Sequence, residues 1–282
     1  MTQHRISALV AGAVIALSGT VSAQEWTPKR LSDGQPDVQG FYRPEIAGTY
    51  SLVRPRRGVG VQDQGAYEKR KADNDVSKSR IIDPPDRQVP YQPWARAKQQ
   101  ALEAAAFTWT LPEHIEPQSR CVPGGVTRTI FWTQDFEIRQ YPGYVVFVHD
   151  QNHTSRIIPL DGRPHISDRI KLWMADSRGH WEGNTLVVDV TNDNAKHRLS
   201  NEGDFSSDRV HIVEKYVFTG PNSFRLEQRY EDPSVYTRPW TLASEFTRAH
   251  ANEPNYELWF NECIEGERDV EHLYLGDKSK PY

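Results

Sequence analysis

The sequence predicts a mainly β fold, an antiparallel barrel or sandwich of about eight strands with one helix and an irregular N-terminal arm. Three observations carry this. From Phe131 onward, short runs rich in β-branched and aromatic residues are separated by tight turn signals. Only one segment, opened by Tyr91-Gln92-Pro93-Trp94, combines strong helix formers over three turns. No helical pattern alternates with the strands, which argues against a parallel α/β sheet.

The first element is an expected export segment, residues 1–23. Arg5 precedes an apolar core from Ala8 to Leu17, too short to span a bilayer. Val21-Ser22-Ala23 closes it as a small-residue cleavage site, so the expected mature chain begins after Ala23 and is periplasmic or secreted. Residues 24–90 are rich in Pro, Gly and charge and read as an extended arm, one that could also mediate dimerisation. Residues 91–282 read as a single β-barrel domain with a leading helix. Pro93 suits the first helical turn, where its missing N–H costs nothing, and Ala95 to Ala106 contains no Gly or Pro.

The strands follow. Phe136–Gln140 leads through Tyr141-Pro142-Gly143, a type II turn, into Tyr144–His153. Arg156–Leu160, Thr185–Val190, Val210–Phe218, Phe224–Tyr230, Trp240–Thr247 and Tyr256–Ile264 complete the set. Side-chain alternation sorts their polar residues by face. On Val210–Phe218, His211 shares a face with Val213 and Lys215, while Glu214 shares one with Ile212 and Tyr216. The His211-x-x-Glu214 spacing is therefore no helix-type metal pair, because on a strand the two side chains point opposite ways. On Thr185–Thr191, Asp189 lies opposite the apolar face of Leu186, Val188 and Val190.

Composition narrows the function. A formal net charge of −4 argues against nucleic acid or an anionic membrane as the main partner. No later apolar run is long enough to span a membrane. The 8 Trp, 12 Tyr and 10 Phe must supply much of the core or line a small-molecule cavity. Two cysteines, Cys121 and Cys263, suit a disulfide in an oxidising compartment, worth about 4–5 kcal/mol by the chain-entropy argument. No G-x-S-x-G elbow, phosphate loop or dinucleotide fingerprint occurs. A zinc site drawn from His153, His165 and His211 fits by residue type, but no tight ligand spacing supports it, so no cofactor is expected.

Several motifs occur together: Tyr91-Gln92-Pro93-Trp94-Ala95, Arg120-Cys121-Val122-Pro123, Leu160-Asp161-Gly162-Arg163-Pro164-His165, Trp181-Glu182-Gly183-Asn184-Thr185-Leu186-Val187-Val188-Asp189, and Asp232-Pro233 with Tyr236-Thr237-Arg238-Pro239-Trp240. In this order the chain resembles a large, mostly uncharacterised family of secreted bacterial proteins, over roughly residues 30–265. That family's C-terminal motif commonly reads Cys-His-Glu-Gly, whereas Ile264 stands here in place of the His. The turn before the Thr-Leu-Val-Val strand also resembles lipocalin-like barrels, at the level of fold alone.

The expectation is an exported lyase, isomerase or hydrolase that uses acid–base chemistry on a small apolar or aromatic substrate. His153 and His211 are its proton-transfer candidates, Asp189 or Glu214 orients one of them, and Tyr236 is a phenolic donor. Arg156 and Arg238 would hold an anionic group. His165, Trp173, Trp181 and Trp240 complete the candidate substrate contacts. The alternative is a periplasmic carrier with the same barrel and no chemistry.

Overall fold

The computed structural model describes residues 26–55, 65, 76–111, 114, 115, 117–131, 135–152, 154–259, 266 and 268–274. The expected export segment, His153, Cys263 and Ile264 lie outside them.

The described chain is mainly β, as expected. Ten strands form one antiparallel sheet. They are β1 (Gly40–Pro44), β2 (Ile81–Asp83), β3 (Phe136–Tyr141), β4 (Tyr144–His149), β5 (Ser155–Pro159), β6 (Asp176–Glu182), β7 (Thr185–Thr191), β8 (His211–Gly220), β9 (Ser223–Glu231) and β10 (Trp240–Ala249). Their order is β5-β4-β3-β1-β10-β9-β8-β7-β6, with β2 pairing β10 beside this path. The sheet curls until its two end strands meet, which nearly closes a barrel.

Closure uses side chains instead of a hydrogen-bonded ladder. Arg156 on β5 donates from Nε to the Ser177 hydroxyl on β6 at 2.9 Å. Beside it, Gly179 lets the strands approach. A Cβ there would lie 2.7 Å from the Ile158 Cγ2 methyl, closer than packed carbons tolerate. Gly143 has the opposite reason to be glycine, since its φ of 76° is what the third position of the Tyr141–Tyr144 turn demands.

The barrel interior is occupied by aromatic rings. Phe224 and Phe246 stack face to face at 4.7 Å, Tyr230 and Trp240 at 4.4 Å, and Phe136 on Phe147 at 5.9 Å. All six are buried. The abundant aromatics therefore build the core.

Helix α1 spans Pro93–Ala104, with Pro93 at its start and Ala95, Gln99 and Leu102 buried beneath it. Two shorter helices, α2 (Gly125–Ile130) and α3 (Asp269–Leu273), bring the number among the described residues to three, where the sequence shows one. No described helix is long and apolar enough to cross a membrane.

Other expectations need correction. The described part of residues 24–90 is not all irregular, because β1 lies between β3 and β10 in the sheet and β2 pairs β10. Gly40 and Pro44 mask this strand in the sequence, and it exists because Tyr42 fills a slot between Phe136 and Arg248. The polar strand β6 was not expected either. It buries Asp176, Ser177 and Gly179, not a hydrophobic face. The expected strand Tyr144–His153 ends at His149, where the chain turns so that the His149 amide reaches the Thr154 carbonyl at 2.9 Å. Tyr256–Trp259, expected to begin a strand, is irregular, and the rest of that segment lies outside the described residues.

Candidate functional site

Alternation along β7 and β8 separates two polar clusters, one inside the barrel and one outside. The register pairs Asp189 with Val213 and Val188 with Glu214. Val213 shares the outer face with His211, two residues away, so Asp189 and His211 are diagonal neighbours there. Glu214 points inward.

Outside, five side chains form a chain of hydrogen bonds. His211 Nε2 lies 2.7 Å from Asp189 Oδ2. The other oxygen of Asp189 lies 2.7 Å from His165 Nε2. His165 Nδ1 continues to Asp176 Oδ2 at 2.6 Å, and Arg178 donates to Asp176 Oδ1 at 2.8 Å. The register supplies three of these groups, since Asp176 pairs with Thr191 and Arg178 with Asp189 across β6 and β7. His165 arrives from the loop after β5, and its ring is clamped between two carboxylates.

The chain runs from a buried end at Asp176 to a more exposed end at Asp189 and His211. The Asp176 side chain is 9% exposed, His165 24%, Asp189 45% and His211 41%. Partial burial pushes the Asp189 carboxyl up, but the hydrogen bonds from His211 and His165 outweigh it and hold the group below the usual carboxylate range. An ionised Asp189 can only accept, so the neutral His211 ring must carry its proton on Nε2. That leaves the Nδ1 lone pair as a base. His211 also lines a cleft of about 400 Å³, with Lys171, Asn192, Asp208 and Arg209.

Inside the barrel, Arg156 and Glu214 form an ion pair at 2.7 Å, with side chains 4% and 0% exposed. Tyr216 accepts from Arg156 at 3.2 Å and donates to Glu214 at 3.3 Å, and Gln228 donates to Glu214 at 2.7 Å. His149 lies buried between Phe136 and Phe147. Burial, and then the positive charge of Arg156, bring its pKa down to about 3.

The structure thus brings together His165, Asp189 and His211 of the expected site and separates the other described candidates from them, while His153 lies outside the described residues. Glu214 and Arg156 are enclosed in the core. Tyr236 is buried, with its hydroxyl donating to the Phe205 carbonyl at 2.8 Å. Trp240 stacks within the core. Trp181 donates to Gln35 at 3.3 Å and packs on Phe218. Arg238 forms an exposed pair with Asp83 at 2.8 Å. Trp173 lines a second cleft, which meets the first at Asp208. Asp176 and Arg178 were missed as site residues. Their signal was present in the Asp-Ser-Arg run, which only the pairing of β6 with β7 turns into a site.

Among the described residues, no group of three or more His, Cys, Asp or Glu side chains is arranged to hold a metal ion. The Nε2 atoms of His165 and His211 are both directed at Asp189.

No protein-family model matches the chain, and no curated protein matches it by sequence. The fold and site define its class by geometry: a nearly closed antiparallel β-barrel bearing an outward histidine–carboxylate chain beside a cleft.

Proposed function

We propose that the protein is an exported enzyme that transfers protons on a small molecule, in a lyase, isomerase or hydrolase step that needs no cofactor. The observation that carries this reading is the continuous path Asp176–His165–Asp189–His211, which ends at a cleft. His211 Nδ1 takes the substrate proton. Asp189 fixes the ring and stabilises the imidazolium that forms. His165 and Asp176 fix Asp189 in turn. Lys171 and Arg209 line the same cleft, together with the carboxylates Asp168 and Asp208. Export also implies the Cys121–Cys263 disulfide, which would tie the segment before α2 to the chain beyond β10.

The second reading, a carrier without chemistry, draws its support from the aromatic residues of the neighbouring cleft. One experiment separates the two. Protein purified from the periplasm is denatured, released small molecules are identified by mass spectrometry, and compounds of that type are screened for turnover. The enzyme reading expects turnover that falls by at least about 100-fold in His211→Ala. A ligand bound but never converted, or turnover unchanged in His211→Ala, would favour the carrier.

A further inference from the structure

We infer that the second cleft, lined by Trp94 and Trp173 and meeting the His211 cleft at Asp208, binds a small aromatic anion, a planar ring system bearing one carboxylate or phosphate group. This deepens the reading of a small-molecule site at His211 and rests on it.

The cleft is built from three parts of the chain. Helix α1 presents Trp94, Lys98 and Leu102, four residues apart and so on one side of the helix. Trp173, from the loop before β6, and Phe205 add two more rings to the lining. The loop after β7 adds Lys196. The volume is about 630 Å³, within the range of small-molecule sites and ample for two fused rings. Trp94 remains 53% exposed and packs against Phe205 at 5.9 Å, so an indole face stands at the surface with a ring beside it.

Charge decides what kind of ring fits. Lys98 and Lys196 line the cleft with one carboxylate, Asp208, beside Arg120 and Arg198, which are already engaged in interactions of their own. Lys98 sits 4.6 Å over the Phe205 ring, and neither Lys98 nor Lys196 has an ion-pair partner among the described residues. His197, also in the lining, is already paired with Asp193 at 2.8 Å. Cations concentrated between apolar walls favour an anion whose body is apolar. A neutral aromatic compound would leave that potential unused, and a cation would be repelled. Because Asp208 belongs to both clefts, a ligand stacked by Trp94 and Trp173 would reach towards His211.

Titration of the intact processed protein with 2-naphthoate, 2-naphthyl phosphate and 2-naphthamide, followed by calorimetry, tests the inference. At least one of the two anions should saturate the protein, and the neutral amide should bind about tenfold more weakly or worse. The outcome between carboxylate and phosphate identifies the anionic group. The pair Lys98→Met and Lys196→Met, or Trp173→Ala alone, should weaken anion binding about tenfold with an unchanged circular dichroism spectrum. Equal binding of acid and amide, an anion affinity indifferent to these substitutions, or no saturation by either anion would overturn it. Binding that survives while turnover is unaffected by His211→Ala would leave this inference standing and remove the enzyme reading.

Discussion

Arg156→Met should lower the unfolding free energy by about 3–5 kcal/mol, because it leaves Glu214 charged and uncompensated at the centre of the barrel. Glu214 is fully buried, and without Arg156 it keeps only the donors of Gln228 and Tyr216. The same substitution removes the Arg156–Ser177 bond across the seam between β5 and β6. The double variant with Glu214→Gln should recover most of the loss, since taking out both charges removes the desolvation cost along with the attraction. Urea unfolding of the three proteins measures this. A single variant within about 1 kcal/mol of the wild type would show that the pair is not the buried unit described.

His149 and Asp150 should give the protein two opposed pH responses that separate on mutation. The folded pKa of His149 is about 3, against about 6.5 in the unfolded chain. Between those values only the unfolded state binds the proton, so this group's contribution rises with pH and is lost on acidification, by roughly 4–5 kcal/mol. Asp150 acts the other way. Burial above all, and then the neighbouring Asp135 charge, push its carboxyl up to about 7. Between about pH 4 and 7 the folded state keeps a proton that the unfolded chain has released, so its contribution falls as pH rises. In the wild type the two offset each other over much of this window. His149→Phe, which keeps the ring stack with Phe147, should tilt the stability profile downward with rising pH relative to the wild type. Asp150→Asn should tilt it upward. Denaturation midpoints between pH 4 and 7 read both, and parallel profiles in all three proteins would contradict the assignment.

Much of the fold was legible because the strands alternate. Phe224–Tyr230 and Val210–Phe218 declare their buried face residue by residue, and Tyr141-Pro142-Gly143 declares its turn. The strands that hid are those made by tertiary pairing. β1 has two apolar residues between Gly40 and Arg43, and β6 buries polar atoms that Arg156, His165, Arg178 and the β7 ladder satisfy. The site was legible in the same partial way. Alternation placed Asp189 and His211 away from the apolar faces, and Glu214 towards the core. It gave no register between β7 and β8, so it left open whether Asp189 or Glu214 serves His211. The diagonal pairing decides for Asp189, while Glu214 goes to Arg156. The aromatic residues divided in a way that composition does not reveal. Many of the described ones pack in the core, whereas Trp94 and Trp173 face the outer cleft.

The central claim is that Asp189 fixes the protonation of His211 and couples it to His165. Long-range proton–nitrogen spectra of the histidine side chains, in the wild type and in Asp189→Ala, test it most directly. The account predicts that neutral His211 in the wild type carries its proton on Nε2 and leaves Nδ1 bare, and that the His211 and His165 signals change together in the variant while buried His149 stays as it was. A His211 protonated on Nδ1, or His211 and His165 spectra indifferent to the loss of Asp189, would contradict it.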